Sequence, residues 1–452
     1  MRNEFSWQPS MEVRTREIES LTRDKTMNWI DKSRSEGLSN ADIYLLLALA
    51  SARYVDHHGP LIGHGTFNGG PLLRASSLLS SDFQDLALLQ TAVYVTDLLA
   101  DPRYGPYLLM EMEPVTETTE EESQQAFLHD IESGNTVLLS EHRLVGLLRH
   151  QNSDLRWLLT QVALRQYPEN EHRLLIVHRA IQFLDDLSGW AYAEPIFRPA
   201  VQYLASRPDT TLFNRIKERM LTWPEEGMVS EHEVTDVVQR LIEVPYGEEP
   251  DLIDELIRQG IKGRTLYEAI ALSSSEMLRR SQFDAHAVTG VHCTLDLMRG
   301  KDVPSDLRTL AGHLALSSQR SRRQKVSRQN WREPLHVSGT RVTLTELKNI
   351  VSNDDGGQLS AQAAGNYLLS GGSPRELART LMEVALTTSG PFDAIHNVKM
   401  IWGLLQETEY SQLGQQSWRH LSGGARVIAE TAATERPAGK AILSLWKPMK
   451  SM

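Results

Sequence analysis

Two stretches of this 452-residue chain share one pattern: RTLYEAIALSSSEMLRRSQFDAH at Arg264–His286 and RTLMEVALTTSGPFDAIH at Arg379–His396. Each contains Arg-Thr-Leu-x-Glu, an Ala-Leu pair among apolar residues three and four apart, and a Phe-Asp-Ala before the histidine. Apolar spacing of this kind predicts an amphipathic helix. The shared order of features predicts a repeated helical unit that ends on a histidine.

The same layout occurs twice earlier in the chain. In each copy an Ala-Leu helix leads to an acidic residue and then to a histidine, which gives the column His58, His172, His286 and His396, at intervals of 114, 114 and 110 residues. A second column follows six residues later and reads His64, His178, His292 and then Trp402. The period predicts four pseudo-repeats of roughly 110 residues, each long enough for about four helices.

Helical periodicity dominates the remaining segments, and strand-like alternation is confined to TRVTLTEL at Thr340–Leu347. We predict an all-α fold built from helical hairpins, either a solenoid or a closed, toroid-like ring. The expected organisation is one continuous domain, with an N-terminal extension at 1–40, repeats at 41–125, 126–235 and 236–335, and a last repeat with the C-terminal tail at 336–452.

Composition restricts the class of protein. Hydrophobic residues make up 40% of the chain and the net charge is −11, which disfavours a dedicated nucleic-acid binder. The single cysteine, Cys293, excludes an intramolecular disulfide. The N-terminus lacks an apolar signal region, and no run of 18 apolar residues occurs. These features predict a soluble cytoplasmic protein without membrane contact.

Three kinds of segment interrupt the helices. EMEPVTETTEEES at 111–123 is typical of an exposed acidic loop. RSRRQKVSRQNWR at 320–332 can grip phosphates, although such a basic run is more typical of a solvated helix face. The glycine-rich segments at 352–360 and 368–377 are predicted to be turns that lead into helices, with Pro374 in the first turn of its helix.

Histidines in the two columns are the candidates for chemistry. Imidazole is the commonest metal ligand in proteins, and nearby carboxylates complete or orient such sites. Residues six apart on a helix lie about 120° apart around its axis, so only one histidine of each pair can face a shared interior. The alternative is that they cap helices and bond carbonyl groups. The symmetric column favours four metal ligands, for iron, zinc or another transition metal, at His58, His172, His286 and His396.

Late in the chain, His396 and Lys399 are three residues apart and share a helix face. A histidine and a lysine on one wall can bind an anionic oxygen or polarise a carbonyl group.

Four short motifs resemble those of the questin oxidase-like family: GHGTFNGGPLLRA at His64, HRLLIVHRAIQFL at His172 and His178, GVHCTLDLM at His292, and IHNVKMIWGLL with its His396 and Lys399. The resemblance implies an all-helical enzyme that uses NADPH and oxygen to oxidise a polycyclic aromatic ketone, in a reaction of Baeyer–Villiger type. It favours His64, His178 and His292 over the symmetric column. The spacing departs from the family, because the two histidines of its second motif are seven residues apart there and six here.

Three functions therefore compete. The first is an oxidoreductase, monooxygenase-like, with a histidine-lined cavity for a small organic substrate. The second is a helical-repeat scaffold that binds a protein partner without chemistry. The third is a nucleic-acid-associated protein acting through residues 320–332. Of the three, the chemistry of the histidines favours the first, and the oligomeric state is left open.

Overall fold

A computed structural model describes residues 9–54, 64–102, 109–151, 153–187, 190–280, 285–319 and 337–446. Every regular element in these ranges is a helix, which confirms the predicted all-α class. None of the described helices is both long and apolar enough to cross a lipid bilayer. The basic run at 320–332 lies outside the described residues.

The first part of the chain forms six α-helices: α1 (Pro9–Glu19), α2 (Thr26–Ser35), α3 (Asn40–Tyr54), α4 (His64–Phe67), α5 (Gly69–Ser76) and α6 (Ser81–Ala100). In α3 every residue from Ile43 to Ala52 is buried, because NADIYLLLALASARY is apolar around most of its circumference. The helix therefore lies inside the fold, where it packs against α1, α4, α5 and α6.

The acidic segment at 111–123 is irregular only as far as Thr119. There Thr119 and Glu122 form a capping box, each side chain accepting a hydrogen bond from the other residue's backbone N–H, and a helix begins. Six helices follow: α7 (Glu120–Ser133), α8 (Val137–Arg149), α9 (Arg156–Gln166), α10 (His172–Asp186), α11 (Ala193–Ala205) and α12 (Thr211–Ile216).

The third part of the chain contains α13 (Glu231–Glu243), α14 (Glu249–Arg258), α15 (Gly263–Arg280), α16 (His286–Arg299) and α17 (Ser305–Leu314). The described C-terminal part contains α18 (Leu344–Asn353), α19 (Gln358–Leu369), α20 (Pro374–Thr388), α21 (Pro391–Tyr410) and α22 (Trp418–Leu445).

The strand-like stretch at Thr340–Leu347 does not form a strand. Thr343 instead forms a capping box with Glu346 and starts α18, so the Thr-rich stretch satisfies the first backbone N–H groups of a helix. The glycine-rich segment before α20 is a turn, as predicted. In that turn the Ser373 side chain accepts a hydrogen bond from the Glu376 backbone, and Pro374 opens the helix.

Buried apolar side chains form one cluster that extends from Ile18 to Ile442. Within it, α10 packs against α5 and α16, and α21 packs against α16 and α5. The contacts α5–α10–α16–α21–α5 therefore close on themselves. The helices of this circuit, with the short α4 beside α10, carry the histidines singled out above.

Candidate functional site

Four histidine side chains from distant parts of the chain meet in this circuit. His64, His172 and His286 are the first residues of α4, α10 and α16, and His396 lies in the second turn of α21. We call these four residues the histidine tetrad. Rings that follow one another in the chain are neighbours in space. The centroid distances are 4.9 Å from His64 to His172, 5.0 Å from His172 to His286 and 5.0 Å from His286 to His396. His396 in turn lies 5.2 Å from His64, so the four rings form a cycle.

The tetrad has a regular shape. Neighbouring rings are inclined to one another by 41–48°, and the diagonal distance between His64 and His286 is 6.4 Å. The four rings therefore form a closed cycle, in which His64, His286 and His396 bring one ligand atom each towards a shared position.

Hydrogen bonds define the tautomer of two of these rings. His396 Nδ1 donates to the Phe392 carbonyl oxygen at 2.6 Å, and His172 Nδ1 donates to Asn170 Oδ1 at 2.7 Å. Because a neutral imidazole carries one N–H, Nε2 of each ring then has a lone pair. His396 Nε2 is buried and makes no hydrogen bond to any described residue. The Nε2 atoms of the other three rings are buried as well.

The surroundings of His396 disfavour protonation of its ring. Burial lowers the pKa of His396 well below its ordinary value, and the charges of Lys399, His286 and His64 lower it further. His396 is therefore a neutral imidazole near neutral pH, which is the form that ligates metals.

Three members of the tetrad, His64, His286 and His396, are arranged to hold one metal ion, and His172 lies beside them. One ligand atom each from His64, His286 and His396 lies within 4.8 Å of the others. An imidazole bound at about 2.0–2.1 Å has its centroid about 3.2 Å from the ion. Two such rings are about 4.5 Å apart at a right angle, about 5.2 Å at a tetrahedral angle and about 6.4 Å when opposite. The three distances among His64, His286 and His396 are 5.0, 5.2 and 6.4 Å and lie within this range.

A cavity of about 290 Å³ reaches the tetrad at His286 and His396. Its other walls come from the residue before α16, from the start of α21 and from α22: Ala285, Phe392, Asp393, Asn397, Val427, Glu430, Thr431 and Thr434. The Phe392 ring packs at 4.2 Å on His396, while Asn397, Thr431 and Thr434 add polar groups. The cavity can admit a small organic molecule with hydrogen-bonding groups.

Lys399 lies next to the tetrad, one helical turn after His396. Its Nζ donates a hydrogen bond of 2.5 Å to Asn68 Oδ1 and lies 5.2 Å from the centroid of the Phe67 ring. Burial, followed by the charge of Arg179, lowers the pKa of Lys399 to about 7.

His178 and His292 do not join the tetrad. His178 Nε2 donates to Asp296 Oδ2 at 2.9 Å, and His292 Nδ1 donates to Glu407 Oε1 at 2.5 Å. Arg299 contacts both carboxylates and ties the two pairs into one buried network.

This network keeps its carboxylates charged. Burial acts to raise the pKa of Glu407, but Arg299 and the hydrogen bonds from His292 and Tyr267 outweigh it and lower that pKa to about 2. The network therefore joins α10, α16 and α21 through the ion pairs of Arg299 with both carboxylates and the hydrogen bonds from His178 and His292.

The arrangement combines the two predicted columns. His172, His286 and His396 come from the symmetric column, whereas His64 comes from the column that the family resemblance favours. His58 lies outside the described residues. Lys399 is beside the tetrad, as its spacing from His396 predicts.

Asn68, Asn170 and Arg179 contribute to the site but were not singled out by sequence reasoning. Their spacing carries a signal once helices are assigned: Asn68 is four residues after His64, and Arg179 is seven after His172, so each shares a helical face with its histidine. Cys293 is buried in α16, and burial raises the pKa of its thiol to about 11, so it packs as a neutral side chain.

No known protein family, characterised protein or solved structure matches this chain.

Proposed function

We propose that this chain is an oxidoreductase whose histidine tetrad binds one transition-metal ion and acts on a small organic substrate. The observation that carries the proposal is the tetrad itself, a closed cycle of imidazoles in which His64, His286 and His396 bring ligand atoms within 4.8 Å of one another. His396 is neutral, and its Nε2 lone pair is buried without a hydrogen bond to any described residue. A buried acceptor of this kind costs about 1–3 kcal/mol when left unsatisfied, and a metal ion would offset that cost.

The donor set favours certain metals. Imidazole nitrogen suits iron, zinc, copper and nickel, whereas magnesium and calcium prefer oxygen ligands. Outer hydrogen bonds from Nδ1 to an oxygen, as at His172 and His396, are typical of metal-bound histidines because they orient the ring. Iron is our first choice, because the family resemblance implies reaction with oxygen.

The substrate would occupy the cavity between α21 and α22, which brings it against His286 and His396. In a monooxygenase one oxygen atom enters the substrate and the other leaves as water, with two electrons from a reductant. The resemblance to questin oxidase-like proteins implies NADPH as that reductant. The bound ion would activate oxygen, while the tetrad would hold the ion and the cavity residues would orient the substrate.

A fourfold helical repeat is part of the proposal. The tetrad takes one histidine from each successive quarter of the chain, at intervals of 108, 114 and 110 residues. The closed circuit of contacts among α5, α10, α16 and α21 supports the same interpretation. A repeat explains how one site is assembled from segments so distant in sequence.

Elemental analysis of the purified, untagged protein tests the proposal. We expect close to one iron, or another transition metal, per chain, and substoichiometric metal in the double variant His286→Ala/His396→Ala. The matched control is His129→Ala/His232→Ala, which removes two exposed histidines and should retain the metal.

Oxygen consumption with NADPH then separates an oxygenase from other metalloenzymes. A wild type that contains no metal, and that takes up none after incubation with Fe²⁺, Zn²⁺ or Cu²⁺, contradicts the metalloenzyme.

A further inference from the structure

A second layer of side chains lies next to the tetrad, and each member follows one tetrad histidine on the same helical segment. Asn68 is four residues after His64, Lys399 is three after His396, and Arg179 and Cys293 are each seven after their histidines. Spacings of three, four and seven keep two residues on one face of a helix. We call Asn68, Arg179, Cys293 and Lys399 the second layer.

The second layer contains two buried cations. Arg179 is 4% exposed and Lys399 is 8% exposed. Arg179 donates to Gln182 Oε1 at 2.6 Å and Lys399 donates to Asn68 Oδ1, so both hydrogen bonds go to uncharged amides. Among the described residues, neither cation forms an ion pair with a carboxylate.

The other buried arginines in the described part of the chain behave differently. Each one forms an ion pair with a carboxylate, as the following pairs show: Arg173 with Glu169, Arg198 with Glu141, Arg264 with Glu268, Arg279 with Glu276, and Arg426 with Glu430. Buried charges are normally paired because leaving one uncompensated is strongly unfavourable. Arg179 and Lys399 lack such a carboxylate among the described residues, and Lys399 is partly neutral near pH 7 as a result. A bound anion would stabilise the charged form of both groups.

Asn68 adds a hydrogen-bond donor to the same place. The ammonium group of Lys399 can only donate, so the amide of Asn68 must turn Oδ1 towards it. That orientation leaves Asn68 Nδ2 buried, and it makes no hydrogen bond to any described residue. Asn68 is itself fully buried, so the unused donor faces the protein interior.

We infer that the second layer is an anion-binding subsite, in which Lys399, Arg179 and Asn68 Nδ2 hold a carboxylate of the organic substrate. Guanidinium and ammonium groups together match carboxylate geometry and charge, and the nearby face of Phe67 suits an aromatic acid. The inference rests on the proposed function, because the carboxylate would lie beside the tetrad, although Lys399, Arg179 and Asn68 are not among the residues that line the cavity between α21 and α22. It would also balance the charge that a metal ion adds beside two cations.

Anion binding should be linked to a proton. The amine of Lys399 has a pKa of about 7 in the protein, so it is partly neutral at pH 7.5. The charge that acts on it is that of Arg179, and the other titratable groups beside it are the neutral His396 ring and the neutral Cys293 thiol. A bound carboxylate favours the ammonium form, so binding takes up a proton and weakens as the pH rises above 7.

Calorimetric titration with benzoate tests the subsite, and the neutral isostere benzamide is the paired probe. Formate is titrated in parallel as a smaller anion. We expect wild type to bind benzoate at least about tenfold more tightly than benzamide. Titrations at pH 7.5 in two buffers that differ in ionisation enthalpy should show proton uptake on benzoate binding.

Lys399→Met should weaken benzoate binding by about 10- to 100-fold and abolish the proton uptake. It should fold at least as well as wild type, because it removes a buried charge. Arg179→Gln provides a second variant with the same expected loss. Lys348→Met is the matched control, since Lys348 also lies over a phenylalanine ring but is exposed and paired with Glu383.

The titrations are run on metal-loaded and on chelator-treated protein, which separates this subsite from the metal site. If the protein binds benzoate but never holds metal, the benzoate result supports the subsite and the lack of metal contradicts the proposed metalloenzyme. Wild type that binds neither benzoate nor formate at millimolar concentration, or Lys399→Met that binds benzoate as tightly as wild type, overturns the anion subsite.

Discussion

The imidazole rings of His286 and His396 lie 5.0 Å apart and 48° inclined, although 110 residues separate them in the chain. His286 begins α16, whereas His396 lies within α21. The two helices pack side by side, and this contact brings both rings to the inner end of the cavity. Most of the following predictions depend on how the fold holds such rings in place.

Asn170 should orient a ring of the tetrad. Its Oδ1 accepts the Nδ1–H of His172 at 2.7 Å. Asn170→Ala removes this acceptor, and loss of an outer-shell partner typically weakens metal binding by about 10- to 100-fold. Metal titration of the chelator-treated variant checks the prediction. Asn214→Ala, which changes an exposed asparagine, should bind metal as wild type does, and equal affinity of the two variants would refute a role for Asn170.

Gly65 should be essential to the position of His64. A Cβ at Gly65 would lie 2.0 Å from Ser51 Oγ and 2.5 Å from Ser51 Cβ, so α4 could not pack as closely on α3. Gly65→Ala is expected to lower the free energy of unfolding by about 1–3 kcal/mol and to weaken metal binding. Urea denaturation and metal titration measure the two effects. Gly356→Ala meets nothing closer than 3.9 Å and should change neither quantity. If Gly65→Ala leaves metal affinity intact, the position of α4 does not control the site.

Glu407 should stabilise the fold through the network behind the tetrad. Its side chain accepts from His292, Arg299 and Tyr267, and it is buried. Glu407→Ala leaves Arg299 buried without its main counter-charge, a change that typically costs about 3–5 kcal/mol.

The matched control for this variant is Glu409→Ala. It breaks an exposed pair with Arg375 two residues away and should cost at most about 1 kcal/mol. Similar losses in urea denaturation for the two variants would show that the network adds nothing beyond a surface ion pair.

Acid should destabilise the protein through buried neutral histidines. Burial lowers the pKa of His420 to about 4, while an unfolded chain protonates histidine near the ordinary value of about 6.5. Between these values the unfolded state binds the proton and the native state does not, so stability falls as the pH falls from 6.5 to 4. His420 alone contributes about 3 kcal/mol to this loss, and His396 and His178 act in the same direction.

Urea denaturation at pH 7 and at pH 5 measures the acid effect. His420→Asn should reduce the difference between the two pH values, whereas His129→Asn, which changes an exposed histidine, should not alter it. An unchanged difference in His420→Asn would mean that His420 does not titrate as described.

Helix content could be predicted from periodicity, and the helical pattern that begins at Arg264 corresponds to α15 (Gly263–Arg280). The strand-like stretch at Thr340–Leu347 does not form a strand because β-branched threonines also serve as helix caps, and Thr343 has that role. Local composition does not distinguish a threonine in a strand from a threonine that caps a helix. The outcome here depends on whether the Glu346 side chain can reach back to Thr343.

The histidine columns show where sequence reasoning reaches its limit. On α10, His172 and His178 are six residues apart and therefore face different directions, and only the neighbours of the helix decide which side is which. His172 faces the tetrad because α4 and α16 bring His64 and His286 to it, while His178 faces Asp296. Contacts between segments distant in sequence decide which histidine faces the tetrad, so neither column alone predicts the site.

Metal titration of chelator-treated protein tests metal binding by the histidine tetrad most directly. It compares wild type with four single variants, His64→Gln, His172→Gln, His286→Gln and His396→Gln. We expect one ion per chain in wild type and, in every variant, an affinity lower by more than the roughly tenfold typical of losing even an outer-shell partner. Variants that bind metal as tightly as wild type would contradict a four-histidine metal site.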